Sequence, residues 1–476
     1  MARKTIPRKI NANTRAKKNI YLPKNMINKK LSSTSDLWWE KYQKDILHTG
    51  LDTECGTVVG LSEGLLEYKS INGKLIPVRT NKEGTLPKEA YEACASKYCN
   101  YPELNKFVFG EMPRNWLCGV TKSAFIGHAS NEQIRRTGAS GGILSAVLIH
   151  LLNTNKISGV ICLKMDEHKP WKAVPHIAKT KEQIIASAGS VYSATPTNTI
   201  LKSLKNEEGH LAYIGLPDQV AAIRKLQKME HPTVKNIKYV FGPYTGTQMS
   251  FEAIKSFLRS HNIKNEEDIS SLKYRAGEWP GHLEIQLKDG KTLKAEKFHY
   301  NYLIPFFITS SSLQVPDFTN ELTDLSVGDA WSPALEKQRG GYSVILARKP
   351  ETKNLLLNMQ KQDLLTLKQI SIEEALNMHG HMLDFKKRGS FIRNSWKKVS
   401  PEYGYRPVGI TKGRITIEWC LWAFFFIGKQ RFSRWIIEHL PISIIGPAFN
   451  TLRKGWKYIS KPTKRKGLRN QEFTVL

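Results

Sequence analysis

Cysteine is scarce in this 476-residue chain: Cys55, Cys94, Cys99, Cys118, Cys162 and Cys420 are all it has. Six thiols at irregular spacing make no disulfide framework. Acid is short as well, with 42 Asp and Glu against 72 Lys and Arg, for a net charge of +30. A spanning helix needs about 20 apolar residues, and the run 419–427 stops at nine. Met1-Ala2-Arg3-Lys4-Thr5-Ile6-Pro7 leads into no apolar stretch, so no secretory signal is expected. No P-loop, dinucleotide glycine fingerprint or His-Glu-x-x-His motif occurs, which leaves out the commonest phosphate, dinucleotide and zinc-protease chemistries. No internal repeat is found. Length and composition, 40% hydrophobic and 24% charged, predict a cytoplasmic globular protein of two or three domains.

The positive charge that is present sits mostly at the ends. Residues 1–30 hold ten Lys or Arg and no acid, and residues 452–469 hold eight and no acid. Residues 1–35 read as a disordered basic arm, with a solvated tail, an anionic membrane contact and a nucleic-acid contact as the competing uses. No zinc finger or aromatic–basic recognition motif accompanies the charge, so no specific nucleic acid is expected. Residues 391–476 read as a basic, aromatic tail that binds a membrane or a partner. The run 419–427, then Trp435-Ile436-Ile437 and residues 442–449, are interrupted by Pro441 and Pro447 and flanked by Lys429, Arg431, Arg434, Arg453, Lys454 and Lys457. Tryptophan, bulky apolar groups and basic flanks fit a segment lying in a membrane interface. A core helix or a protein-docking surface is the alternative. A peripheral position on the inner face of the membrane follows from the first reading.

Between the ends, strand and helix patterns alternate, which predicts a layered α/β core, α+β mixed in detail. Val160 to Leu163, Leu211 to Ile214 and Ile237 to Phe241 read as strands. Ile143 to Leu152, Val220 to Gln227 and Phe251 to Leu258 read as helices. Residues 283–287 alternate and run into Lys288-Asp289-Gly290-Lys291, a hairpin signal. Residues 351–390 read as helical and charged. Two loop-to-helix junctions stand out: Thr137-Gly138-Ala139-Ser140-Gly141-Gly142 before the first helix, and Gly215-Leu216-Pro217-Asp218-Gln219 before the second. Small residues at a helix start let a ligand approach unpaired N–H groups that carry positive partial charge. Gly138 to Gly142 also fits the Gly-x-Ser-x-Gly of a hydrolase elbow, but that motif needs a strand running into the serine. Asn131 to Arg136 is too polar for one.

With Gly189-Ser190-Val191-Tyr192 lying between them, these junctions resemble the beta subunit family of coenzyme F₄₂₀ hydrogenases and dehydrogenases. That family carries an arginine-rich Ser-Gly-Gly segment, then Gly-Ser-x-Tyr, then Gly-Leu-Pro-x-Gln-Val-Ala-Ala-x-Arg, here ending at Arg224. The likeness resumes in Tyr274-Arg275-Ala276-Gly277-Glu278-Trp279-Pro280-Gly281, in residues 317–331 and in Gly341-Tyr342-Ser343-Val344-Ile345. It spans about residues 45 to 375. The regions it implies are a degenerate ferredoxin-like segment at 36–118, an N-terminal flavin-binding α/β region at 119–205 and a C-terminal region at 206–390.

The resemblance implies FAD as cofactor, held by Arg136, Thr137, Ser140, Gly141, Gly142, Ser190, Tyr192, Gly215, Pro217 and Gln219. No catalytic residue is assigned. Ser140, Gly141 and Gly142 would offer N–H groups, Gly215 and Pro217 would shape a wall, Gln219 would bond a ring edge, and Tyr192 would stack or cap. Asp218 stands where the family often has cysteine, and either places a charge near the flavin or caps the following helix. The family's iron–sulfur ligands are largely gone: the matching positions read Asp52, Cys55, Val58 and Ser62, and a second pair reads Ser312 and Val315. An iron–sulfur cluster is therefore not expected, and Cys94-x4-Cys99 matches no common metal site. The function so implied is a flavin-dependent oxidoreductase moving hydride between a soluble donor, F₄₂₀ being the family's, and an unknown acceptor. The alternative is a non-catalytic, membrane-associated assembly protein on the same fold, linked to surface polysaccharide biosynthesis.

Overall fold

A computed structural model describes residues 36–297, 299–332, 335, 338, 340–459, 468 and 471–476. The basic arm 1–35 and most of the basic stretch 460–470 lie outside the described residues.

A hairpin comes first, β1 (Leu66–Ile71) with β2 (Lys74–Arg79). The body is an eight-stranded mixed sheet built from β3 (Ser123–Ala129), β4 (Gly159–Met165), β5 (Ala173–Ala178), β6 (Leu211–Ile214), β7 (Ile237–Pro243), β11 (Leu325–Asp329), β12 (Ser343–Ala347) and β13 (Leu365–Ile370). Their order is β13-β3-β12-β11-β7-β6-β4-β5. The four central strands β11, β7, β6 and β4 are parallel, and antiparallel pairs close both edges. The central strands are short and almost wholly apolar, as strands covered on both faces must be. Helix α1 (Ile143–Asn153) packs on one face with Val147, Val160, Phe241 and Ile345. Helix α2 (Pro217–Lys228) packs on the other with Tyr213, Val220 and Leu226. The strands β8 (Ile269–Ala276), β9 (His282–Leu287) and β10 (Thr292–Glu296) form a separate antiparallel meander, with the hairpin at Asp289-Gly290 as expected.

One expectation is corrected. Residues 351–390 are not continuous helix: β13 lies among them and pairs with β3 at the sheet edge. Leu365 and Leu367 are buried while Thr366 and Lys368 are exposed, a period of two that the surrounding charge obscures. Within residues 36–118, Trp39, Tyr42 and Leu104 belong to the same core as Leu201, Tyr213 and Val220.

At the C-terminal end, α3 (Gly380–Lys387) and α4 (Gly389–Ser395) receive three further helices, α5 (Lys412–Gly428), α6 (Arg431–His439) and α7 (Ile442–Ile459). The pair β14 (Tyr405–Pro407) and β15 (Phe473–Val475) completes the described fold. Helix α5 is docked by buried charge. Arg414 pairs with Asp384 at 2.9 Å and Glu418 at 2.7 Å, and Arg393 pairs with Glu418. Further along, Gly428 lies so close to Pro305 that an added Cβ would stand 2.8 Å from its carbonyl oxygen. Among the described residues, no helix is long and apolar enough to cross a membrane.

Removing one member of a buried ion cluster strands its partners. Glu418→Ala is expected to cost about 3–5 kcal/mol, read as a lowered urea midpoint. Far-UV circular dichroism at zero urea separates loss of docking from loss of the fold.

Candidate functional site

Parallel strands deliver their following loops to one edge, and ligands of open α/β sheets bind there. Here the edge holds Gly215 after β6, Tyr244 after β7 and Trp331 after β11, and all three line one cavity of about 780 Å³. That volume lies within the roughly 300–1,000 Å³ of small-molecule sites. The first junction and the turn at Ser190 close a further wall.

The first junction forms because its glycines adopt backbone that side chains resist. Gly141 has φ +93° and Gly142 has φ +73°. A Cβ on Gly142 would run into the carbonyl of Ile134. The turn is pinned to the sheet: Arg135 Nε donates to the Gly340 carbonyl at 3.1 Å, and Ser343 Oγ donates to the Ser140 carbonyl. Helix α1 then starts at Ile143 with its first N–H groups at the cavity wall formed by Gly142, Ile143 and Leu144. The segment before the junction is the helix Glu132–Thr137, not a strand, as its polarity indicates.

Of the ten residues expected to hold a cofactor, Ser140, Gly142, Ser190, Tyr192, Gly215 and Gln219 line the cavity. Four do not. Arg136 points to solvent, paired with Glu132 and Glu278 at 2.9 Å each, beside a small separate notch. Thr137 turns back on its own helix, its hydroxyl donating to the Gln133 carbonyl at 2.8 Å. Gly141 serves the turn, and Pro217 is buried as the first residue of α2. Gln219 lines the cavity, but both ends of its amide are engaged. Its Oε1 accepts from the Leu216 N–H and its Nε2 donates to the Thr195 carbonyl, both at 2.9 Å. It thus joins the second junction to the segment after Tyr192. Asp218 is neither N-cap nor cavity wall. Leu216 occupies the cap, while the Asp218 carboxyl is buried beside Thr53, and that burial holds its pKa above the ordinary range.

Several wall residues are not singled out for a site by the sequence reading. Lys297 is buried, with Nζ 2.9 Å from the Tyr300 hydroxyl and 3.6 Å from the centre of the Tyr192 ring. Burial lowers its pKa. Burial alone would raise the Tyr192 phenol, yet Lys297 and Arg275 hold it below its usual value. Arg275 lines the same wall, gripped by both oxygens of Asp329 at 3.1 Å, with Trp279 Nε1 donating to that carboxylate at 2.8 Å. Tyr244 also lines the cavity. Its hydroxyl is buried with no hydrogen-bond partner among the described residues, and burial keeps it protonated. Arg275 and Asp329 lie within the quoted motifs, which signalled kinship rather than a role. Lys297 follows β10 with no motif around it, so only the packing of the meander brings it to the site. Cys162, expected as a core hydrophobe, is in the core and also on the cavity wall. Its thiol lies 3.4 Å from His176 Nε2, which is 2.7 Å from the Ser187 hydroxyl, and burial pushes the thiol up to about 11. A protonated thiol of this kind is wall rather than nucleophile.

The stretch Asp52 to Ser62 is filled by packing. The Tyr42 hydroxyl donates to Asp52 at 3.1 Å, Cys55 Sγ lies 3.2 Å from the Thr57 hydroxyl, Val58 is in the core, and the Ser62 hydroxyl donates to the Val59 carbonyl. This donor set does not fit an iron–sulfur cube, which needs four converging thiolates.

Two family models match the chain. Both describe the beta subunit of coenzyme F₄₂₀ hydrogenase/dehydrogenase: the model of its N-terminal part matches residues 124–202, and the model of its C-terminal part matches residues 209–373. Together they cover about half of the chain. The chain belongs to the coenzyme F₄₂₀ hydrogenase/dehydrogenase beta subunit family. It is 26% identical over 258 residues to the coenzyme F₄₂₀ hydrogenase subunit beta of Methanococcus voltae, covering 53% of this chain and 86% of that protein. It is 25% identical over 268 residues to the coenzyme F₄₂₀-dependent sulfite reductase of Methanocaldococcus jannaschii, covering 53% of this chain but 39% of that one. A chain of the F₄₂₀-reducing [NiFe] hydrogenase complex from Methanosarcina barkeri overlays with a TM-score of 0.48 at 17% identity, over 60% of this chain and 96% of its own. Both family matches begin beyond residue 118, so the packed-over stretch Asp52 to Ser62 lies outside them.

Beside that stretch, burial raises Asp52 to about 6, and burial together with Asp52 raises Glu54 to about 7. The folded chain therefore binds more protons than the unfolded chain between about pH 4.5 and 7. Stability is full below that window and falls as pH rises through it. Glu54→Gln keeps an acceptor for the Leu75 N–H and removes the buried anion. It is expected to be more stable than the native chain at pH 8, on the order of 2 kcal/mol, and equal to it at pH 4.5, compared by urea midpoints.

Proposed function

We propose that this chain is a flavin-dependent oxidoreductase that binds FAD at the carboxyl edge of the sheet and moves hydride between a soluble donor and an acceptor. The observation that carries this is a cationic, enclosed wall, Lys297 with Arg275, in the same cavity as the left-handed Gly142 and the start of α1. FAD, when bound, supplies two-electron chemistry that the side chains lack.

The chain's own residues fit that group. Gly142 and Ile143 present backbone N–H groups where a diphosphate or ring edge can approach. Lys297 adds positive charge beside the balanced Arg275–Asp329 pair, and the buried Tyr244 hydroxyl has a donor to offer. Ile143, Leu144 and Leu148 supply an apolar wall that excludes water. Relatives of this chain are named for coenzyme F₄₂₀, which makes it the first soluble donor to test here. The chemistry of the Asp52 to Ser62 stretch supports a flavoprotein without a cluster.

A second reading rests on a different observation. The outer faces of α5 and α6 expose Trp419, Trp422, Phe426, Phe432 and Trp435, which supports a peripheral contact with an anionic membrane. A non-catalytic assembly role at that membrane, in surface polysaccharide synthesis, is the form this reading takes if no flavin binds.

Freshly purified protein is expected to absorb near about 370 and 450 nm, as a flavin does, and to contain no stoichiometric iron. Lys297→Met should weaken FAD binding at least about tenfold, or 1.4 kcal/mol, by equilibrium titration. Colourless protein that takes up no added FAD overturns the enzyme reading in favour of the second. Stoichiometric iron overturns the cluster-free part.

A further inference from the structure

The cavity does not end at the flavin wall. Its far side is lined by Cys420, Leu421, Phe424 and Phe425 of α5 and by Phe449 and Leu452 of α7. Phe424 is 43% exposed and Leu452 is 65% exposed, so this side is a mouth framed by apolar side chains. Helices α5, α6 and α7 carry apolar groups on their outer surface. Trp422 stacks on Phe426 and Phe432 on Trp435, and Ile427 and Ile444 are exposed beside them.

These faces are held outward by the fold. The buried Arg393–Glu418–Arg414–Asp384 cluster fixes the first half of α5, and Gly428 against Pro305 fixes its end. Helix α6 is held by Arg259, whose guanidinium donates to Glu438 at 2.6 and 2.9 Å, and by Ile437 in the core. Arg453 lines the mouth, and Arg431 of α6 and Lys454 of α7 are exposed. Apolar faces with tryptophan, on helices that also expose basic side chains, complement an anionic bilayer. The passage itself runs from apolar groups at the mouth to Lys297 and to Arg275 paired with Asp329.

We infer that the cavity opens onto the bilayer and admits an amphipathic lipid, its anionic head reaching toward Lys297 and its single apolar chain lying between α5 and α7. The substrate side of the proposed enzyme is then a membrane-dissolved molecule, while a soluble donor reaches the site from elsewhere. This rests on the membrane-facing reading of the C-terminal helices, and for the fate of the head on the flavin reading.

The full chain is mixed with phosphatidylcholine–phosphatidylglycerol vesicles carrying a diazirine-bearing palmitic acid, irradiated, and mapped by mass spectrometry. Vesicle pelleting and flavin absorbance are measured on the same sample. Pelleting, with label at cavity positions such as Met382, Phe425 and Phe449, is the expected result. Leu421→Trp, which narrows the mouth, should cut interior label at least five-fold while pelleting persists. Pelleting with label confined to Trp419, Trp422, Phe426, Phe432 and Trp435 overturns lipid admission and leaves the membrane contact standing. Neither pelleting nor label overturns both, and assigns the apolar faces to a protein partner. Interior label on protein that binds no FAD supports the lipid site and sinks the flavin reading alone.

Discussion

One buried carboxylate fixes the register of the site. Asp324, just before β11, bonds Arg224 of α2 and Lys349 beyond β12, each at 2.8 Å, and accepts from the Val240 N–H of β7 at 2.8 Å. Burial by itself would raise its pKa, but Arg224 and Lys349 hold it below the ordinary range. A charge so deeply enclosed persists only because its partners are in place. It joins three sheet strands to the helix that starts at the second junction. The carboxyl edge of the sheet, where the cavity lies, inherits its geometry from that junction.

The cavity gains its character from two kinds of constraint. Backbone with positive φ at Gly141 and Gly142 brings the start of α1 to the wall, where a side chain would collide. Packing of the meander then carries Lys297 and Arg275 to the opposite wall, and desolvation there makes their charge count for more than it would in water. The stretch Asp52 to Ser62 shows the reverse case. Asp52 accepts from Tyr42, Val58 is packed in the core and Ser62 closes a turn on Val59, so the region contributes core.

The C-terminal helices give the fold an asymmetry. Their inner faces are tied down by ions that are buried and paired, and their outer faces carry large aromatics in the open. Surface apolar groups scattered singly need no explanation, but exposed aromatic stacks on successive helices do. Helix α5 is both a wall of the site and a surface of the molecule.

The chain's local order was legible where physics acts locally. Apolar runs gave β4, β6 and β7; the period of 3.6 gave α1 and α2; Asp289-Gly290 gave a hairpin. Ordered glycine and Gly-Leu-Pro motifs gave the family, and six of the ten residues they pointed to line the cavity. β13 was not legible, because a short alternating strand amid charged helix formers is decided by its pairing with β3. Arg136 and Thr137 looked like ligands because a motif records neighbours in sequence, not the direction of side chains on the helix Glu132–Thr137. Lys297 has no local signal, since its place depends on a three-stranded meander folding against a segment far earlier in the chain. Thus the sequence by itself determined the central strands and helices, the family and the glycine turns, because these follow from backbone sterics and periodicity. Only the tertiary structure decided which charges meet in the cavity and that α5 and α7 line its far side, because burial and proximity belong to the packed chain and not to any stretch of it.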